Sequence, residues 1–158
     1  MTFNSDHFFP DCQLTLIHEN HRRICGSFYV HETLRSYVAN QELQFIPNIQ
    51  SNQVDESKHG LVMIQIHGTI HQRGTCRGVF DQSFGLVRDP THGYNYLIKF
   101  TFLNMQTQQS LSIGDSSSMS NYVRDTMFTY DQTMQQQIDS TDYIIDDPDD
   151  EFDWNLRW

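Results

Sequence analysis

The segment RGVFDQSFGLVRDP, residues 77–90, alternates apolar and polar side chains along its length and carries glycines at Gly78 and Gly85. Alternation with a period of two predicts a β-strand with one buried face. A long strand stays on one core only if it bends, and bulges and glycines are where long strands bend. The segment therefore predicts a long strand in which Gly78 and Gly85 can supply a bend. Phe80 and Phe84 would pack on one face, and Gln82 between them would satisfy a backbone group at a bulge.

The same period of two recurs in residues 12–18, 21–26, 43–55, 60–73 and 94–104. Turn sequences such as Gly74–Thr75 and DPTHG separate the later segments, which predicts an antiparallel meander. Pro47 predicts an edge position or a bulge for its strand. Residues 28–41 instead carry apolar side chains at helical spacing, with Ser27 as the expected N-cap. This order predicts an α+β fold, an antiparallel sheet with one short helix packed on it.

Strict alternation also assigns side chains to the two faces of the sheet. We expect an aromatic face towards the helix, formed by Phe80, Phe84, Phe100 and Phe102 and completed from the helix by Leu34 and Tyr37. The other face mixes polar and apolar side chains, as interfaces often do, and is a candidate dimer face. Its candidate residues are Met63, Gln65, His67, Leu97, Lys99 and Thr101. An ordinary solvated sheet face is the open alternative.

The charge of the chain is concentrated at one end. The net charge is −10, of which −1 falls in residues 1–103 and −9 in residues 104–158. Nucleic acid and anionic lipid need clustered Lys and Arg, so neither is an expected partner. The three cysteines form no CxxC pair, and no apolar run is long enough to cross a bilayer. A reducing compartment, cytoplasm or nucleus, is the expected location.

The composition changes after residue 104 to Gln, Ser, Thr and Asp. We divide this part into a polar linker (105–118), an amphipathic helix (119–139) and a low-complexity acidic tail (140–158) that we expect to be disordered. Apolar side chains three or four residues apart predict the helix, and they are Met119, Val123, Met127, Tyr130, Met134 and Ile138. Alone in water this helix would be only marginally stable, so it needs a surface to pack on. Trp154 and Trp158 are candidate anchors of a docking peptide, or part of an unselected tail.

Several motifs, in this order, resemble the nuclear transport factor 2-like (NTF2-like) family. The pattern G…F-x-Q-x-F-x-L is present as Gly78, Phe80, Gln82, Phe84 and Leu86. CQLTL and CGSFYVHETL look like the family's strand, glycine and short helix, and VMIQIHGTI carries a glycine at position 68. The resemblance covers residues 8–104, which we assign as the domain, and it implies a strongly curved sheet wrapped into a cone.

The resemblance implies a non-catalytic protein-binding module, an adaptor in nucleocytoplasmic transport, mRNA export or ribonucleoprotein assembly. The implied partners are a second copy, a related NTF2-like subunit, or phenylalanine-containing peptides of nucleoporins. The candidate binding residues are Phe80, Gln82, Phe84, Phe100, Phe102, Trp154 and Trp158.

Members of the family begin with one or two longer helices, whereas only MTFNSDHFFP precedes the first strand here. Without such helices one sheet face would stay open, which soluble monomers rarely tolerate. We expect helix 119–139 to cover that face, in cis or across a dimer. A partner chain and a truncated gene product are the competing explanations.

Other members with this cone-shaped fold bind small ligands or are ketosteroid-isomerase-like enzymes. Small-ligand binding or an isomerase-like activity in the cone pocket is therefore the alternative function. Such an enzyme needs a carboxylate of raised pKa in an apolar pocket, opposite an oxyanion donor. The candidates are Asp81, which should face away from Phe80 and Phe84, and Tyr94 or Tyr96. His67 and His71 lie four residues apart on a strand, about 13 Å, which is too far to share one metal ion. No catalysis, metal or cofactor is predicted.

Overall fold

The computed structural model describes residues 3–93, 95–107 and 117–141, without the side chains of residues 51, 92, 117–122 and 141. Trp154, Trp158 and Tyr94 lie outside these ranges. The described strands and α-helices are β1 (Phe8–His18), β2 (Asn20–Cys25), α1 (Ser27–Ala39), β3 (Leu43–Pro47), β4 (Gln53–Glu56), β5 (Val62–Gln72), β6 (Thr75–Asp89), β7 (Asn95–Thr107) and α2 (Ser117–Thr141).

The seven strands form one sheet in the order β2-β1-β7-β6-β5-β3, with β4 also paired to β5. All pairs are antiparallel except β1–β7, which is parallel. The predicted α+β fold with a curved sheet is confirmed, but the expectation of a purely antiparallel sheet is wrong at this pair. A parallel pair is joined by a long crossover, here α1 and the whole meander, so no local turn signal predicts it.

Strand β6 is irregular beside both of its glycines. The β5–β6 register shifts at Gly78, and the β6–β7 register shifts at Gly85. A Cβ atom on Gly78 would lie 2.0 Å from the carbonyl oxygen of Gln106 on β7. Only glycine allows the two backbones to approach this closely. Each glycine thus lies beside a bulge, where a ladder of strand pairs can bend.

Helix α1 packs on one face of the sheet, which we call the inner face. Val30 and Tyr37 are its buried residues, and Leu34 packs beside them. The buried sheet residues of this core are Phe8, Cys12, Leu14, Leu16, Ile70, Phe80, Ile98, Leu103 and Met105. Ser27 is the first residue of the helix rather than its cap, because the N-cap position is taken by Gly26 with φ of 97°.

Helix α2 packs on the opposite, outer face. Val123 joins Leu61, Met63 and Phe102 in a second buried cluster. An amphipathic helix is thus present where 119–139 was predicted, and it docks in cis. The face that α2 covers is the one that contains the candidate dimer residue Met63, and it is not the side that α1 occupies.

Strand β7 changes the facing of its side chains at Lys99. Leu86 of β6 pairs with Ile98 and its neighbour Gly85 pairs with Phe100, so Lys99 is the extra residue of a β-bulge. Ile98 consequently belongs to the inner core, whereas Phe100 packs on the outer face.

This bulge corrects three face assignments. Phe100 and Phe102 pack on the outer face, so they do not share an aromatic face with Phe80 and Phe84. Thr101, predicted on the dimer face, is 1% exposed and contacts Gln82 on the inner face. The predictions assumed unbroken alternation, and one extra residue inverts every side chain that follows it.

The predicted strand 43–55 is in fact two strands, β3 and β4, separated by a 3-10 turn at Ile49–Ser51. Asn48 starts the turn, because its side-chain oxygen accepts a 3.2 Å hydrogen bond from the backbone N–H of Gln50. Pro47 is the last residue of β3, which lies at an edge of the sheet. The edge position predicted from Pro47 is confirmed.

Candidate functional site

A small cleft opens on the inner face, between α1 and strands β3 and β6, and we call it the inner cleft. Its volume is about 170 Å³. It is lined by Phe3, Leu34, Tyr37, Val38, Phe45, Gln82, Phe84 and Leu103. Two of the predicted binding residues, Gln82 and Phe84, therefore come together in one site.

Aromatic rings build the wall of the inner cleft. Phe80 is buried and stands edge-on to Phe45, with ring centroids 5.1 Å apart. Phe80 therefore supports the lining from behind. The hydroxyl of Tyr37 accepts a 3.3 Å hydrogen bond from Arg22, which satisfies its polar end and leaves the apolar ring to the cleft.

Gln82 supplies a carboxamide to the inner cleft. Its Nε2 donates a 3.4 Å hydrogen bond to Oγ1 of Thr101. Gln82 was expected to bond a backbone group at a bulge. Its partner is instead the side chain of Thr101, two residues after the bulged residue Lys99. A single carboxamide among apolar walls is the kind of group that orients a bound ligand.

The mouth of the inner cleft is apolar and exposed. Phe3 is 51% exposed and Val38 is 56% exposed. Phe3 is held by ring contacts to His7, Phe8 and His31 at centroid distances of 5.3–5.9 Å. The sequence analysis assigned neither residue to a site. The four-residue spacing of Val38 from Leu34 on one helix was the available signal.

A larger open groove, the outer groove, runs between α2 and the outer face. Its volume is about 800 Å³. The sheet contributes Phe9, Gln13, Thr15, Arg23, Val87, Lys99 and Phe100, and α2 contributes Asp125, Thr126, Thr129, Tyr130, Thr133, Met134 and Gln137. Phe100 and Tyr130 stand edge-on with centroids 6.4 Å apart. Burial, aided by the neighbouring Asp131 carboxylate, raises the pKa of Tyr130.

Two cations lie on the sheet side of the outer groove. Lys99 Nζ lies 2.5 Å from each carboxylate oxygen of Asp11, and this hydrogen bond lowers the pKa of the Asp11 carboxyl. Lys99 also lies 5.2 Å from the ring centroid of Phe9. Arg23 projects from β2 and has no ion pair or hydrogen bond among the residues that the structure describes. The charge of Arg23 is therefore free to meet a ligand.

A polar contact also connects helix α2 to the loop between β4 and β5. His59, in the β4–β5 connection, lies with Nδ1 2.9 Å from Oδ1 of Asp131 on α2. Both side chains are largely buried, at 17% and 20% exposure. This pair and the Val123 cluster together hold the helix on the outer face.

The candidates for an isomerase-like site do not meet in a pocket. Asp81 faces away from Phe80, as expected, and bonds the ring of His67 on the outer face. Tyr96 is exposed, and its hydroxyl accepts a 2.9 Å hydrogen bond from Arg88. That hydrogen bond raises the pKa of the Arg88 guanidinium.

The part of the chain that the structure describes shows neither a metal cluster nor a membrane-spanning helix. Among those residues, no three His, Cys, Asp or Glu side chains are grouped closely enough to hold a metal ion. No helix within the same ranges has the length and apolarity to cross a bilayer.

The sequence matches a known protein family. The family model of the DUF4518 C-terminal domain matches residues 1–116. The chain belongs to this family. The DUF4518 domain is 34% identical over 116 residues to a C3orf38 homolog of Rattus norvegicus, covering 70% of the chain and 33% of the relative. The Mus musculus homolog is 34% identical over 112 residues, covering 67% of the chain and 32% of the relative. The chain thus spans about a third of the length of the curated relatives that it matches.

Solved structures similar to this DUF4518 domain have the NTF2-like fold. The yeast UBP3-associated protein Bre5 superposes with a TM-score of 0.56 at 15% identity, over 66% of this chain and 80% of that one. Nuclear transport factor 2 of Cryptosporidium parvum gives a TM-score of 0.52 at 16% identity, over 65% and 76%. At such identities the likeness shows the fold alone. At that level it confirms the resemblance that the motifs predicted.

Proposed function

We propose that this domain is a non-catalytic protein-binding module whose inner cleft accepts an apolar side chain of a partner protein. The cleft itself carries the proposal: Phe45 and Phe84 form aromatic walls, Gln82 offers a carboxamide, and Val38 stands exposed at the mouth. Pockets that bury one large side chain within an apolar wall are where protein interfaces concentrate their binding energy.

The size of the inner cleft favours a side chain over a small molecule. Pockets for metabolites and drugs usually measure about 300–1,000 Å³, whereas this cleft measures about 170 Å³. The position of Asp81, bonded to His67 on the outer face, gives no support to the isomerase-like alternative. To act on a substrate in the inner cleft, the Asp81 carboxylate would have to reach it from the opposite side of the sheet.

The proteins of similar fold suggest, by analogy, a more specific role for this module. Bre5 is associated with UBP3 and is described as a cofactor in the complex with the deubiquitinase Ubp3, and another relative is a nuclear transport factor. We extend the proposal to an adaptor in nucleocytoplasmic transport, mRNA export or ribonucleoprotein assembly, located in cytoplasm or nucleus. Phenylalanine-containing peptides such as those of nucleoporins are the candidate ligands, and a second copy or a related subunit is the candidate stable partner.

The experiment compares two charge substitutions at exposed valines. Val38→Glu places a carboxylate at the mouth of the inner cleft, and Val79→Glu places one on β6 outside the cleft lining, where the native side chain is 43% exposed. Each full-length variant is tagged and used to capture proteins from a lysate of its native cell, with quantification by mass spectrometry. We expect wild type and Val79→Glu to recover the same partners and Val38→Glu to lose them.

The proposal fails if Val38→Glu retains every partner, or if wild type recovers none. Titration of the purified chain with a phenylalanine-containing peptide then tests the ligand class. Binding that Val38→Glu weakens at least about tenfold, equivalent to about 1.4 kcal/mol, supports it.

A further inference from the structure

The outer groove is open, and its walls are largely apolar. Phe100 on β7 and Tyr130 on α2 contact each other edge-on and form one part of its wall, and Val87 and Met134 add apolar surface. Its volume of about 800 Å³ lies in the range that encloses a ligand of several rings or a short peptide. Exposed apolar surface of this kind marks a binding site on a soluble protein.

The sheet side of the outer groove carries one cation, Arg23, that is unpaired among the described residues, whereas the helix side carries the Asp125 carboxylate. Arg23 lies on β2, the edge strand of the sheet. Lys99 stands on the same side, with its charge balanced by Asp11. A ligand that presents carboxylates to Arg23 and aromatic rings to the wall formed by Phe100 and Tyr130 therefore fits the groove.

The chain contains a segment of this composition directly after α2 in the sequence. Residues 142–158, DYIIDDPDDEFDWNLRW, hold seven Asp and Glu against one Arg. The same segment carries Phe152, Trp154, Leu156 and Trp158. It follows directly after α2, whose residues from Asp125 to Gln137 form one wall of the groove. The carboxylates of this segment carry the charge opposite to that of Arg23.

The length of the segment matches the groove. The wall from Asp125 to Gln137 is about 18 Å long at about 1.5 Å per helical residue. Residues 142–158 span up to about 56 Å when extended, at about 3.3 Å per residue. A segment that turns back after Thr141 thus covers the wall with residues to spare. Tethering gives it an effective concentration on the order of mM, so modest contacts are sufficient.

We propose that residues 142–158 bind in the outer groove of the same chain, with their aromatic side chains against Phe100 and Tyr130 and their carboxylates towards Arg23. Any partner that uses this groove must first displace the segment. The proposal is independent of the function proposed for the inner cleft, because the two sites lie on opposite faces of the sheet.

Tryptophan fluorescence of the full chain is a direct test. The chain has two tryptophans, Trp154 and Trp158, and both lie in the segment. A synthetic peptide of residues 142–158 provides the emission of the solvated tryptophans. We expect the full chain to emit at a shorter wavelength than the peptide and to be quenched less by acrylamide. Raising the salt from 0.1 M to 1 M shortens the Debye length from about 10 Å to about 3 Å and should move the emission towards that of the peptide.

Two charge reversals locate the contact. Arg23→Glu should move the emission towards that of the peptide, since the segment then meets a like charge. Arg77→Glu is the matched control, because Arg77 is equally an exposed strand arginine and lies outside the groove lining. It should leave the emission unchanged. Circular dichroism of both variants checks that they remain folded, as expected for substitutions at exposed positions.

Three outcomes overturn the proposal. The first is full-chain emission equal to that of the peptide, and the second is an equal effect of the two charge reversals. The third is a wavelength shift that disappears on dilution, because an intramolecular contact does not depend on protein concentration. That last result would assign the segment to the groove of a second copy.

Discussion

Replacing Val123 with aspartate tests whether α2 is an integral part of the folded domain. Val123 is 4% exposed and packs against Leu61, Met63 and Phe102. Burial of a valine side chain contributes about 1.5–3 kcal/mol, and an unpaired buried carboxylate costs still more. We therefore expect α2 to lose at least about 2 kcal/mol of docking free energy. At about 1.36 kcal/mol per factor of ten, this is a shift of about thirtyfold in the docking equilibrium.

The assay is amide hydrogen exchange along the full chain. A helix rich in threonine and isolated from the sheet is marginal in water, so undocking exposes its amides to exchange. We expect Val123→Asp to lower protection in α2 about thirtyfold or more, while β5, β6 and β7 keep theirs. Phe128→Asp is the matched control, since Phe128 lies on the same helix and is 63% exposed. It introduces the same poor helix former without removing a buried contact.

Two results would refute this reasoning. If the α2 amides of the wild-type chain exchange as fast as those of an unfolded peptide, the helix is not docked in solution. If Val123→Asp and Phe128→Asp lower protection equally, the loss comes from helix propensity and not from the buried cluster.

Three further predictions concern stability and reactivity. Gly78→Ala places a Cβ 2.0 Å from a backbone oxygen, while Gly85→Ala meets only side chains at 3.1–3.3 Å. In urea unfolding, Gly78→Ala should lower the free energy of unfolding by at least about 2 kcal/mol and Gly85→Ala by less. Equal decreases would contradict the argument from close backbone approach. Burial raises the pKa of Asp131, but hydrogen bonds from His59 and Ser57 outweigh it and hold the pKa below 3.8. The stabilisation is thus present above pH 3.8 and lost as the pH falls through the lower folded value. Wild type and Asp131→Asn should differ in urea midpoint near neutral pH and converge in acid; a constant difference would be inconsistent with this. Burial raises the pKa of Cys12 to about 11, so a thiol reagent should modify the two exposed cysteines of the native chain and Cys12 only after unfolding. Equal rates for all three would contradict its burial.

Local patterns were sufficient to predict most elements of the fold. The period-two segments appear as strands and the helical spacing around Tyr37 appears as α1, because each pattern reflects one buried face of one element. The predicted strand 43–55 failed where Asn48 caps a turn, since a side-chain hydrogen bond competes with the ladder. The direction of the β1–β7 pair was predicted wrongly for a different reason. This parallel pair is a long-range contact, and no local residue pattern encodes it.

The candidate site was predicted in part, and the failures have two physical origins, a β-bulge and a tertiary contact. Gln82 and Phe84 line the inner cleft because β6 alternates without interruption through that region. Phe100 and Phe102 were misplaced because one bulged residue, Lys99, moves them to the outer face. A usable signal was present: Leu103 and Met105 are large apolar residues out of phase with Ile98, which indicates a break in the alternation between them. The outer groove was missed because it requires the position of α2, a tertiary contact.

The position of α2 also decides how a second copy of the chain can bind. Met63 and Gln65, both predicted on the dimer face, are buried within a single chain, and Met63 packs against Val123 of α2. A dimer formed through this part of the outer face would have to displace α2 and lose the contacts of Val123. Among the residues that the structure describes, the inner cleft and the sheet edges therefore remain for partners, and the outer groove remains once residues 142–158 are displaced. Dimerisation through the outer face is expected only when α2 is released, as in Val123→Asp, where Phe102 and Met63 become accessible and sedimentation velocity should show self-association that Phe128→Asp lacks.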